Sequence, residues 1–345
     1  MAISHEKQTF CPKSITLCPF FIRTFLSKSG NFVFVFNRWV KVSMKGKMTQ
    51  KLYILLYILG VSSCIYEDLS LCPPLCIEID VKDKNYHNIY SAVRLGFEEK
   101  KDENLPFREY ISTMTYHLRH VESDREVLVR YVEPVVGDDK TFRLPVPRDL
   151  PLGKYVVTAW GNVSDTTVFD DNLKGIDLHP DNRPGEDVYL THDTIDYTPR
   201  DHNFTLAMER TKGKLIIQVE GMPDAYRASS KTVTDISGYT CHHFNYDQPI
   251  DLSVDTVWPA PRWMRTKTVL APSIERDRSV LSISFFEGDQ IRQDVSQLMP
   301  EDVNLTLRGN ELTILRYVYD KSCCCFKVYI LINDNWEILH SMEII

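Results

Sequence analysis

From residue 76 to the C-terminus the chain alternates apolar with polar side chains in short runs, and this period of two is the feature that most restricts its fold. The runs are 76–81 (CIEIDV), 127–132, 142–146, 204–208, 215–219, 280–286, 303–307 and 326–332. A strand with that period turns one face to a core and the other to water. The runs are rich in Val, Ile, Thr, Tyr and Phe, and turn residues such as Gly137, Asp138 and Asp139, or Gly221, Met222 and Pro223, separate them. Residues 329–332 and 336–339 around Asn333, Asp334 and Asn335 read as a terminal hairpin. Helical periods are almost absent. The fold class is therefore all-β, and the spacing fits antiparallel sandwiches with Greek-key connections.

One strand is launched by a Pro151, Leu152, Gly153 turn and ends in Trp160 and Gly161; Trp160 reads as the largest core side chain of the first domain. At about 150 residues per domain the body divides in two, with the boundary near residues 209–213 (ERTKG). Residues 165–201 read as an irregular polar stretch apart from 188–190. Residues 225–265 read as a second loop-rich excursion packed by its own aromatics, and Tyr239, Trp258 and Trp263 are its candidate binding residues.

Upstream lies residues 51–74, KLYILLYILGVSSCIYEDLSLCPP. Lys51 precedes an apolar core at 52–60, the length of a signal-peptide h-region and well short of the roughly 20 residues a spanning helix needs. Val61, Ser62 and Ser63 are slim side chains directly before Cys64. The pattern resembles the lipobox of bacterial lipoproteins, which implies lipid attachment at Cys64; the other reading is a buried strand or helix with an incidental cysteine. Residues 1–47 read as a non-mature or over-extended segment, with translation starting at Met44 or Met48 and residues 48–63 serving as the signal peptide.

Removing residues 1–63 takes away nine of the 40 Lys and Arg residues and one of the 47 acids, leaving 31 and 46, a net charge near −15 over 282 residues. So acidic a body offers no basic face for nucleic acid. Of the nine cysteines, Cys72, Cys76, Cys241, Cys323, Cys324 and Cys325 remain beyond Cys64. Read as a strand, Cys323 to Cys325 point alternately to opposite faces and cannot share one metal. The expectation is small buried residues, or one bridge such as Cys72 to Cys76, with no metal and no cofactor.

Catalytic motifs are missing from the sequence. Asp138 with Asp139 and Asp170 with Asp171 are adjacent carboxylates in turns, which point apart rather than across a cleft. His117 and His120 fall on opposite faces of a strand, and the adjacent His242 and His243 meet the same objection as a metal pair. Nucleophile elbows, zinc-protease helices and phosphate-cradling loops do not occur, so the chain reads as a non-enzyme.

Residues 64–73 (CIYEDLSLCP), the alternating strand behind them, Asp83, Lys84, Asn85 and Tyr86, and the turn and strand from Pro151 to Trp160 and Gly161 resemble the FimB-like, fimbrillin-associated anchor lipoproteins of Bacteroidales. Cys76 and the three consecutive cysteines depart from that pattern. The resemblance covers most of residues 64–345. It implies two tandem transthyretin-like antiparallel β-sandwich domains, 64–209 and 210–345, lipidated in the outer membrane and exposed at the cell surface. It further implies that the protein holds the base of a type V pilus through strand-mediated contact with a fimbrillin-type stalk subunit. Glu67 and Asp68 are compatible with an acidic surface-export signal. The rival reading is a surface glycan-binding lipoprotein of a polysaccharide-uptake system. A Cys64→Ala variant is expected to leave the outer-membrane fraction while its β-body still folds, read by fractionation and circular dichroism; retention with the membrane would overturn the tether.

Overall fold

The computed structural model describes residues 24–26, 32–34, 73–170, 173–259, 264–291, 297–332 and 334–341. The chain forms two compact units, residues 1–73 and 74–345. In the first, β1 (Thr24–Leu26) pairs antiparallel with β2 (Phe32–Phe34); Cys64 lies outside the described residues. All that follows concerns the second.

Seven of its strands, β3 (Cys76–Val81), β4 (Thr113–His120), β5 (Arg125–Pro134), β6 (Phe142–Arg143), β7 (Gly153–Gly161), β9 (Tyr189–Tyr197) and β10 (Asn203–Arg210), lie in the order β5-β4-β7-β9-β10-β3-β6. The path turns at β10. Residues 203–208 of β10 pair in parallel with β3, whereas Glu209 and Arg210 pair antiparallel with Leu190 and Tyr189 of β9. One strand thus serves two sheet faces, which close over a shared core. Into it β3 sends Ile77, Ile79 and Val81, β4 sends Met114, Tyr116 and Leu118, and β7 sends Tyr155, Val157 and Ala159. Burying each Ile, Leu or Val is worth about 1.5–3 kcal/mol, and the strict alternation aims every one of them inward.

The remaining strands are β8 (Gly175–Asp177), β11 (Gly213–Glu220), β12 (Tyr226–Cys241), β13 (Tyr246–Val257), β14 (Met264–Leu270), β15 (Ser279–Glu287), β16 (Gln297–Leu298), β17 (Val303–Leu305), β18 (Leu312–Asp320), β19 (Cys325–Ile332) and β20 (Asn335–Ser341). They build one sheet in the order β14-β11-β18-β19-β20 and another in the order β13-β12-β15-β16, with β17 on β15 and β8 on β12. Leu215, Ile217, Leu315, Tyr317 and Phe326 from the first of these face Val233, Leu252, Leu281 and Phe285 from the second. The architecture is an all-β sandwich, and the terminal hairpin forms between β19 and β20 as the sequence indicates. Two pairings, β3 with β10 and β11 with β18, are parallel where antiparallel ones were expected.

Two readings from the sequence are corrected. Residues 191–197 (THDTIDY) continue β9, and residues 225–265 are mostly the long β12–β13 hairpin rather than a loop. Trp160 is buried as expected, but on the reverse face of β7 from Tyr155, Val157 and Ala159, among Leu190, Ile176, Leu178 and Val188, with its indole N–H donating to the Leu173 carbonyl at 3.1 Å. The outer face of β11 and β18 is also covered. Ile216, Leu312 and Ile314 pack against Tyr86, Phe97 and the short helix α1 (Ile89–Arg94) through Ile89 and Ala92. Asn88 pins this helix by exchanging two hydrogen bonds with the Leu312 backbone, at 2.8 and 2.9 Å.

The chain crosses from the first sheets to the others at residues 210–212, and the crossing is buried. Arg210 donates from its backbone to Asp83 Oδ2 at 2.8 Å, sets its Nε 2.9 Å from Asp187 Oδ2, donates to Asn310 Oδ1 at 2.9 Å and bonds the Tyr189 hydroxyl. Its guanidinium carbon lies 4.1 Å from the centre of the Tyr86 ring. Thr211 bonds the Val188 carbonyl through N–H and hydroxyl alike, and Lys212 Nζ donates to the Leu178 carbonyl at 2.5 Å. Burial brings the Lys212 ammonium down to about 8, with Asp187 and Glu186 opposing it. Gly213 follows because a Cβ there would meet the Arg308 carbonyl oxygen at 2.3 Å.

Beside this crossing, His179 accepts from the Ala271 N–H at Nε2, 3.0 Å, and donates from Nδ1 to the Arg183 carbonyl at 2.9 Å. Both nitrogens are committed to the neutral ring. Burial, then the nearby Lys212 charge, hold its pKa at about 3, below the ordinary 6.5. The unfolded chain therefore binds a proton that the folded chain refuses, and the stability present above pH 6.5 is lost as pH falls from there toward 3. The urea midpoint is expected to drop through that window, and more shallowly in a His179→Gln variant; parallel profiles would refute the assignment.

Candidate functional site

The residues singled out in the sequence are placed as follows. Cys64, Cys72 and Trp263 lie outside the described residues. Cys76 opens β3 half-buried, bridged to no described cysteine. Cys323 and Cys325 form a disulfide. They do not alternate along a strand, because residues 321–324 are the turn between β18 and β19, and Cys324 in its middle is exposed at φ 54°. Trp258 is 8% exposed, packs in the core of the second pair of sheets and donates its indole N–H to Ser229 Oγ at 3.1 Å. A ring so enclosed cannot stack on a ligand. Tyr239 belongs to β12, its hydroxyl donating to Asp170 Oδ2 at 2.9 Å; burial and that carboxylate push the phenol up to about 12.

The paired carboxylates do what turns ask of them. Asp138 meets Arg108 at 2.8 Å, and Asp170 caps the Gly175 N–H with Oδ1 while holding Tyr239 with Oδ2. His117 faces Glu126 at 3.4 Å, whereas His120 lies edge-on to Tyr155 across the sheet.

The adjacent histidines behave differently from the sequence reading. His242 and His243 sit in the turn after β12, where successive side chains need not diverge. Both rings meet His192, which projects from β9: the ring centres are 4.2 Å apart for His192 and His242, 4.9 Å for His192 and His243, and 4.1 Å for His242 and His243. Fifty residues separate the two contributions, so no local motif could have announced them. Only the laying of the β12–β13 turn across the outer face of β7 and β9, where Phe244 and Tyr246 pack against the Trp160 group, brings them together.

Sheet edges are the other chemically open feature. The outer strand β5 carries Arg125, Glu126, Arg130 and Glu133 and is kinked by two register shifts against β4, with Val132 at φ 48°, devices that discourage edge pairing. β15 differs. β12 pairs with one side of it along residues 281–287, while the other side meets β16 at Phe285 and Phe286 and β17 at residues 279–281. Among the described residues, 282–284 have no strand partner on that side, where residues 299–302 link β16 to β17. Next to this gap Leu298, Met299 and Pro300 line a cleft of 40 Å³ with Cys324, Phe326 and Val328, and Met299 is 68% exposed.

Solved structures with a similar fold come from Bacteroidales. A putative adhesin from Bacteroides thetaiotaomicron matches at 12% identity and a TM-score of 0.52, over 79% of this chain and 100% of that one. A putative adhesin from Bacteroides ovatus matches at 13% and 0.50, over 81% and 98%. The fimbrial anchor protein Mfa2 from Porphyromonas gingivalis matches at 10% and 0.44, over 78% and 100%. No protein-family model and no curated protein sequence matches the chain. The structural neighbours are thus Bacteroidales adhesin-type and fimbrial anchor or assembly proteins, and the first two likenesses show that this chain has their fold. Among the described residues no helix is long and apolar enough to cross a membrane.

Trp258→Ala is expected to lower stability by about 3–5 kcal/mol in chemical denaturation, since it empties a core position, while Tyr239→Phe costs about 1 kcal/mol for one hydrogen bond. Equal, small losses would show that Trp258 is not enclosed.

Proposed function

We propose that the chain is an outer-membrane lipoprotein of two sandwich domains, 64–209 and 210–345, that anchors or terminates a type V pilus. The observation that carries this reading is the pairing of a lipobox ending at Cys64 with a body whose fold is that of Bacteroidales putative adhesins. The action is mechanical. Several acyl chains on Cys64, each CH₂ worth about 0.8 kcal/mol on burial, make an attachment that a single chain could not sustain. A fixed N-terminus prevents the chain from adding to a growing stalk, so it ends a filament. A strand from the first stalk subunit would join the body by β-augmentation at a sheet edge, where main-chain groups supply the contact.

Glycan binding through Tyr239, Trp258 and Trp263 draws no support from the described residues, because Trp258 is enclosed and the Tyr239 hydroxyl is engaged. Catalysis has no part in this reading. Deleting the gene is expected to release pili into the medium or change their length, scored by electron microscopy of cells and culture supernatant; unchanged, cell-attached pili would defeat it.

A further inference from the structure

We propose that His192, His242 and His243 form a divalent transition-metal site, taken by Zn²⁺, that clips the β12–β13 turn to strand β9. One ligand nitrogen from each of the three lies within 4.8 Å of the others. A tetrahedral zinc with Zn–N distances of about 2.0–2.1 Å sets its ligand nitrogens roughly 3.3 Å apart. The nitrogens must close by up to about 1.5 Å to reach that spacing, and His243, the exposed member, is the freest of the three to move.

Two of the rings are already oriented from behind. His242 Nδ1 lies 2.8 Å from the Lys174 carbonyl oxygen, which can only accept, so the proton of the neutral ring sits on Nδ1 and Nε2 presents its lone pair. A second bond, from the His242 backbone N–H to the same oxygen at 2.6 Å, fixes the turn. His192 Nδ1 lies 2.9 Å from Thr158 Oγ1 on the neighbouring strand, where donation to the hydroxyl leaves its Nε2 free as well. A ring nitrogen tied to a carbonyl or hydroxyl, with its opposite number aimed at the ion, is the usual support of a metal-bound histidine.

The electrostatics agree with the geometry. Burial and the two neighbouring imidazoles hold His192 at about 4, with Asp193 opposing and Arg119 assisting, and burial also lowers His242. Zinc takes the neutral imidazole, the form in which the Lys174 carbonyl holds the proton of His242 on Nδ1 and leaves Nε2 open. Three packed imidazoles without an ion gain little from each other, while imidazole ligands suit Zn²⁺, Cu²⁺ and Ni²⁺ over the hard alkaline-earth ions. Three protein ligands leave a fourth position for water. Because His243 is exposed, that position faces solvent.

The test uses the untagged full chain after chelator treatment, titrated with ZnCl₂ by calorimetry and with CoCl₂ by visible absorption. Wild type is expected to take up one Zn²⁺ with these ligands, to show the intense visible bands of four-coordinate Co²⁺, and to melt at higher temperature with Zn²⁺ than without. His243→Ala and His242→Ala are each expected to weaken Zn²⁺ binding at least tenfold and abolish the Co²⁺ bands. His87→Ala, remote and exposed, should bind as wild type does. His243→Ala removes an exposed side chain, and its unchanged circular dichroism keeps the comparison valid. No uptake by wild type, or uptake that survives both His242→Ala and His243→Ala, would overturn the assignment.

Discussion

The passage of the chain through residues 210–212 is the constraint on which the rest of the body depends. A connection between two sets of sheets usually runs over the surface, because an enclosed backbone must find a partner for every polar group. Here a cation, a hydroxyl and an ammonium are drawn inside together, and each is answered: Arg210 by Asp187, Asp83, Asn310 and two tyrosine rings, Thr211 by Val188, Lys212 by Leu178. Such groups add little net stability over an apolar filling, but removing one partner strands the other at a cost of several kcal/mol. Their value lies in fixing a unique arrangement: strands drawn from residues 76–210 and from 213 onward can be placed in only one way around so particular a set of bonds.

That fixed arrangement explains why both sides of β11 are buried. Leu215 and Ile217 face the core shared with β12 and β15, and Ile216 faces α1, Tyr86 and Phe97, which come from the N-terminal part of the body. In the other direction, Phe244 and Tyr246 from the β12–β13 turn cover the back of β7 around Trp160. Each half lends a cover to the other's outer sheet face. The result is one compact unit from residue 74 to the end, with its three histidines lying in one of the covered seams.

Strands with one wet face were legible in the sequence because period two needs nothing beyond the strand itself; β3, β10, β15 and β19 all show it. Strands whose polar side chains are engaged were not. In β12 the run SSKTVTDISGYT pairs on both sides, Lys231 is buried with its ammonium on Thr266 and Thr268, and a bulge at Asp235, φ 53°, shifts the period midway. β9 reads as a loop because His192, Asp193, Thr194 and Asp196 dilute its apolar positions, yet it lies between β7 and β10. Trp258 looks like an exposed loop aromatic until the hairpin beside it forms and encloses it. The histidine cluster was invisible for a different reason: it exists only where two segments fifty residues apart in sequence meet, and the reasoning that kept His242 and His243 apart assumed a strand where the chain makes a turn.

The parallel pairing of β3 with β10 has a mechanical consequence. The chain enters the body at the Cys76 end of β3, and six consecutive residues of that strand are matched to 203–208 of β10, which lies in the same direction and continues into the buried crossing. A pull on the N-terminus acts along the axis of β3, so the whole ladder resists together in shear instead of opening one bond at a time like a zipper. The load then passes through β10 to the enclosed Arg210, which spreads it over both sets of sheets.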